Sequence, residues 1–296
     1  MQTIASVTEK LSVVVGVDDL PTALHSVDIA ADEAVRRGVP LVIVHAWPGW
    51  HRGTRYRAVA ADRKDGRHLL DLAVQRAEHA HPGLPVRAEL TDDSGAKALL
   101  ERSGQASLLV IGHRDTAGRR LGWGPTATYL AHHSSCPLLV HQGRATSRGP
   151  VVLAASGRHT ATMELAYDFA ARTTSPLVAV HVWTAGHPGQ ARDSGRGAAE
   201  RRLADVLAVG GTRWPDVEVE RLLINENDIA YTVQRAMRRS RLLVAGVGHK
   251  GWTIEVARRS TFADVGTRQA CAVLLVPPGW PSGLLAQAAS ANTARC

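Results

Sequence analysis

A chain that spells the same string of buried strands twice has few folds open to it. "VVVGVDD" at 13–19 returns as "VVLAASG" at 151–157, and "PLVIVHAW" at 40–47 as "PLVAVHVW" at 176–183. "SLLVIG" at 107–112 returns as "RLLVAG" at 241–246, and "CPLLV" at 136–140 as "CAVLLV" at 271–276. One unit therefore occurs two times, at a separation of about 135 residues. Each matched piece is short, β-branched and continuously apolar, the pattern of strands covered on both faces in a parallel sheet.

Between the strands of the first copy run segments with apolar residues at helical spacing. "TALHSVDIAADEAVRRG" closes on Gly38, a good helix stop, and "GRHLLDLAVQRAEHA" and "SGAKALLERSG" follow the same pattern. Strand and helix alternate to give five strands per copy, and right-handed crossovers make this a doubly wound α/β fold, a five-stranded parallel sheet between helices. The second copy predicts helices near 159–173, 196–209, 228–239 and 260–269. The small and polar stretch "QGRATSRG" at 142–149 separates the copies, so the expected domains are 1–146 and 147–280, with a tail at 281–296 that has no pattern.

Length and composition agree with two domains: 296 residues, 45% hydrophobic, are enough for two cores of ordinary size. No apolar run reaches bilayer length, and "MQTIASVTEKLSVVV" lacks the parts of a secretion signal, so the expectation is a soluble, cytoplasmic protein with no membrane partner. Cys136, Cys271 and Cys296 are too few and too scattered for a disulfide framework or a zinc site. The net charge of +8 would suit an anionic partner. Only four of the 35 basic residues are lysine, however, and the surplus of arginine, alanine and glycine is spread over the whole chain as genomic base composition would spread it. Nucleic acid is not the expected partner.

In an open α/β sheet, ligands sit outside the carboxyl ends of the strands where strand order reverses. Those ends read "VGVDD", "HAWPGW" and "IGHRDTAGRRLGWGPT". In the last, Gly112, Gly118, Gly122 and Gly124 allow close approach of backbone N–H groups. Arg114, Arg119 and Arg120 add positive charge, and a helix starting near Pro125 or Thr126 turns its positive end inward. These features suit a polyanion; a solvated connecting loop accounts for the same residues.

Taken together, "VVVGVDD", "PLVIVHAW", "LLVIGHR", the glycine loop into "PTAT" and "CPLLV", with their second-half echoes, resemble the universal stress protein family in its tandem, actinobacterial form, over nearly the whole chain except the tail. The resemblance implies two adenine nucleotide alpha hydrolase-like domains and a binding site for ATP, AMP, cAMP or another adenine nucleotide, with Mg2+ as an optional companion. It places Val17 and Asp18 on the adenosine, the backbone at Ala46 on the adenine edge, and Gly112, Arg114, Arg119, Gly122, Gly124, Thr126 and Ala127 around the phosphates. Asp18 in "VDDLPT" is equally a helix N-cap. The family's phosphate signature is Gly, two residues, Gly, nine residues, Gly, then Ser or Thr. Gly112 and Thr126 fit it, while Asp115 stands at the second glycine and Pro125 at the third. Gly122 and Gly124 offer a shifted register in compensation.

The second copy departs further: Ser156 replaces the aspartate, and His249 and Arg259 replace the last two glycines before Ser260. It is expected to bind no ATP and to act as a built-in dimer partner, with an anion at Arg258, Arg259 and His249 as the alternative. His45 and His181, each in a "VH-x-W" string, read as packing residues and not as metal ligands. The P-loop ending, a dinucleotide G-x-G-x-x-G and an H-x-G-H are all absent after the first strand, and no nucleophile has an arranged base, so no activity beyond slow ATP hydrolysis is expected. The resulting expectation is a nucleotide-binding stress-response regulator with an unknown protein partner, in chains that can pair as homodimers. The alternative is a nucleotide-free interaction scaffold in which both sites have degenerated.

Overall fold

In a computed structural model, the chain is described over residues 11–18, 21–47, 63–112, 123–141, 148–155, 160–183, 192–225, 239–247 and 271–281. The expected helices at 228–239 and 260–269, the residues 113–122 of the glycine loop and the tail beyond 281 lie wholly or almost wholly outside these residues. The described residues separate into two compact units, one ending at His141 and the other beginning at Arg148.

The amino-terminal unit alternates β1 (Ser12–Val17), α1 (Pro21–Arg37), β2 (Leu41–Ala46), α2 (Arg63–Ala80), β3 (Val86–Thr91), α3 (Gly95–Ser103), β4 (Ala106–Gly112), α4 (Pro125–His133) and β5 (Leu138–His141). Its strands are parallel, in the order β3-β2-β1-β4-β5. The continuous apolar runs predicted for β1, β2 and β4 are the inner strands, with Val13, Val15, Leu41, Ile43, Leu109 and Val110 all fully buried. Side chains of this size contribute roughly 1.5–3 kcal/mol each when removed from water. The edge strand β3, "VRAELT", is more open, as its alternation of polar and apolar residues requires.

The carboxy-terminal unit contains β6 (Val151–Ala154), α5 (Thr160–Arg172), β7 (Leu177–Trp183), α6 (Arg192–Arg213), β8 (Val219–Asn225), β9 (Leu242–Gly246) and β10 (Ala272–Val276). Its parallel order, β10-β9-β6-β7-β8, repeats that of the first unit strand for strand.

Even the helix stops are copied. Helix α1 ends with Gly38 at φ 64°, where Gly38 N–H donates to Val35 O at 3.1 Å and Val39 N–H to Ala34 O at 3.1 Å. Helix α5 ends with Thr174 at φ 47°, where Thr174 N–H donates to Ala171 O at 3.2 Å and Ser175 N–H to Ala170 O at 2.9 Å. Both pairs of bonds belong to the Schellman stop, whose left-handed residue is ordinarily glycine. At the start of the second unit, Gly149 has φ 112°, and a side chain there would run into the Arg239 carbonyl.

Candidate functional site

Strand order in the amino-terminal unit reverses between β1 and β4, so the crevice of an α/β sheet falls at their carboxyl ends. The register Gly16↔Ile111 makes Val17 and Gly112 the next residues along two neighbouring strands. On the other side of β1, Val17 pairs with His45, one residue before Ala46 at the end of β2. Because α4 joins the parallel strands β4 and β5, it runs from the carboxyl end of β4 back toward the start of β5. Its amino end therefore lies at the same rim of the sheet. Val17, Asp18, Ala46, Gly112, Gly124, Thr126 and Ala127 are thus gathered along one rim of one sheet. Arg114, Arg119 and Gly122, with Asp115, lie outside the described residues.

Helix α4 begins at Pro125, within the start expected near Pro125 or Thr126. Gly124, with φ −61° and ψ 167°, is the N-cap, and Pro125, Thr126 and Ala127 are the first three helical residues. Proline is suited to this first position, because its fixed φ matches the helix and the N–H it lacks is one that an α-helix leaves unpaired. Among the described residues, no side chain caps this end and no atom lies within 4 Å of a Cβ placed on Gly124. The first N–H groups of α4, at the positive end of its dipole, thus receive no side-chain cap from the described residues. Just before it, Trp123 is 6% exposed, and its indole N–H is buried without a hydrogen-bond partner among the described residues.

Gly112 has an inward reason to be glycine. A Cβ at this position would lie 2.9 Å from Ser26 Oγ and 3.7 Å from His141 Nε2, so the room left by the missing side chain is filled from within the protein.

At the other end of the crevice, buried His45 donates from Nδ1 to the Val17 carbonyl at 3.0 Å. Because that carbonyl and the Asp18 N–H share a planar peptide, the bond fixes the direction in which the chain leaves β1. The ring is backed by α2, where a Cβ on Gly66 would come within 3.0 Å of His45 Cδ2. In the second unit, His181 Nδ1 donates to the Ala155 carbonyl at 2.7 Å, the same bond at the equivalent strand end. The "VH-x-W" strings thus supply a strand-end clamp in each unit, a role beyond the packing expected of them. Among the described residues, no group of three or more His, Cys, Asp or Glu side chains is placed to hold a metal ion. In the second unit, Ser156, His249, Arg258, Arg259 and Ser260 lie outside the described residues.

Both described cysteines are buried at the starts of the last strands, and burial pushes each thiol up to about 12, which leaves neither as a nucleophile at neutral pH. No helix among the described residues is long and apolar enough to cross a membrane.

Comparison with known proteins agrees with this architecture. Residues 11–142 match the universal stress protein family. The chain is 29% identical over 270 residues to the universal stress protein Rv2623 of Mycobacterium tuberculosis, covering 84% of this chain and 90% of that protein. It is 28% identical over 297 residues to a universal stress protein of Mycolicibacterium smegmatis, covering 93% and 99%. Among solved structures, a universal stress protein of Archaeoglobus fulgidus matches the fold with a TM-score of 0.63 at 13% identity, over 91% of this chain and 97% of that one.

Proposed function

Because residues 11–142 belong to the universal stress protein family, we propose that the amino-terminal unit binds an adenine nucleotide at the carboxyl rim of its sheet and that the protein acts through this binding as a regulator. One observation carries the reading. The start of α4, uncapped by any described side chain and with no described atom against Gly124, stands at the same rim as the ends of β1, β2 and β4. A helix start of this kind offers N–H donors and the positive end of the dipole to a phosphate. In this arrangement the Thr126 and Ala127 N–H groups and the Thr126 hydroxyl face the phosphates, joined by Gly112. Asp18 takes the ribose hydroxyls, for which a carboxylate is a strong acceptor, and the Ala46 backbone meets the adenine edge. The second unit, with Ser156 in place of the aspartate, binds no ATP.

A second reading, a nucleotide-free interaction scaffold, is favoured by the surroundings of Gly112, where Ser26 gives a packing reason for glycine that needs no ligand. Thermal unfolding separates the two. A ligand that binds only the folded state must raise its melting temperature. ATP, AMP or cyclic AMP at a hundred times its dissociation constant adds about 2.7 kcal/mol, and Asp18→Ala is expected to remove the shift. Unchanged melting with every nucleotide supports the scaffold.

A further inference from the structure

We propose that the buried Ser26–His141 pair is the positioning element for the phosphate end of this site. The inference rests on the nucleotide reading of the amino-terminal unit. Ser26 Oγ and His141 Nε2 are 2.7 Å apart, and both residues are fully buried. Ser26 comes from the second turn of α1 and His141 from the last position of β5, where its register partner on β4 is Gly112. The pair therefore spans the end of β4 and occupies the space in which a Gly112 side chain would stand.

A hydrogen bond shielded from water is stiff and hard to replace, so this contact fixes where the Gly112 peptide leaves the sheet. His25 holds the imidazole edge-on, with ring centroids 5.6 Å apart. The adenosine end has a separate support, the hydrogen bond from His45 to Val17 at the end of β1.

The second unit is an internal comparison. Ser26 stands twelve residues before the left-handed Gly38, and Thr162 twelve before the left-handed Thr174, so the hydroxyl position is retained. After β10, however, Pro277 follows "LLV" where His141 follows it in β5. Thr162 Oγ1 is correspondingly buried with no hydrogen-bond partner among the described residues. The unit that has lost the aspartate has also lost the imidazole.

The test is titration of the full chain with ATP and with adenosine, or with AMP in place of adenosine if adenosine binding is immeasurable. Ser26→Ala is expected to weaken ATP by about fivefold to tenfold, the scale of one buried hydrogen bond, and to leave the phosphate-poor ligand within about twofold. Ser26→Thr, which restores the hydroxyl in the form already housed at position 162, recovers ATP affinity. His141→Phe, which keeps a buried ring without Nε2, repeats the selective loss if Ser26→Ala does not fold. Equal weakening of both ligands, no weakening of either, or a threonine variant as weak as alanine overturns the proposal while leaving the nucleotide reading intact. A wild-type chain that binds neither ligand overturns both.

Discussion

His45 Nδ1 and the Val17 carbonyl are joined at 3.0 Å across two adjacent strand ends, and His181 and Ala155 repeat the bond at 2.7 Å in the other unit. The duplication has kept this clamp in both copies, although the residue after the clamped carbonyl is Asp18 in one sequence and Ser156 in the other. Replacing either histidine by leucine leaves a strand-end carbonyl without its donor, at a cost of about 1–3 kcal/mol. Urea unfolding is expected to show losses of similar size for His45→Leu and His181→Leu. Only His45→Leu is expected to weaken ATP as well, since only that clamp orients the aspartate.

Thr174 occupies a left-handed position that its counterpart fills with Gly38. A β-branched residue is strained there, by about 1–2 kcal/mol relative to glycine, and part of the gain on substitution is offset by the freer unfolded chain. Thr174→Gly is therefore expected to stabilise the second unit by about 0.5–1 kcal/mol, whereas Gly38→Thr destabilises the first by at least as much. The midpoints of denaturant unfolding report both signs.

On α6, Gly210 lies directly under the ring of Tyr167, which is 1% exposed, stacks on Trp214 with centroids 5.6 Å apart and donates its hydroxyl to Leu207 O at 3.2 Å. A methyl group at 210 has to displace a ring held on several sides. Gly210→Ala is expected to cost about 1–3 kcal/mol by overpacking. Gly211→Ala, where a Cβ meets no described atom within 4 Å, is expected to be neutral or stabilising through helix propensity. Thermal melting of the two variants side by side checks the contrast.

The thiols of Cys136 and Cys271 ionise near 12 when folded, chiefly because burial disfavours the thiolate, against an ordinary value of 9.0. The folded chain therefore holds protons that the unfolded chain gives up. Their contribution to stability is complete below pH about 9 and is lost as pH rises from about 9 toward about 12. Iodoacetamide at pH 8 is expected to spare both residues in the native protein and to alkylate both in urea, as read by peptide mass mapping.

Much of the fold was legible because a duplicated pattern predicts each element twice. The strands of the first unit, the stop at Gly38 and the "VH-x-W" equivalence follow from residues whose type carries the signal locally. The start of α4 is legible for the same local reason. A proline after a glycine suits a first helical turn, and Gly124 is the N-cap with Pro125 the first helical residue. Thr174 gave no sign, since threonine is not a left-handed residue by preference. Ser26 and His141 were illegible for a different reason: they lie 115 residues apart, and only the crossover of α1 and the register of β5 bring two unremarkable side chains together beside Gly112.

The central claim is that the first unit holds an adenine nucleotide and the second does not. Calorimetric titration of ATP into the full chain tests it most directly. The predicted result is a saturable heat with one nucleotide per chain, abolished by Asp18→Ala. Heats no larger than dilution for ATP, AMP and cyclic AMP alike would contradict it.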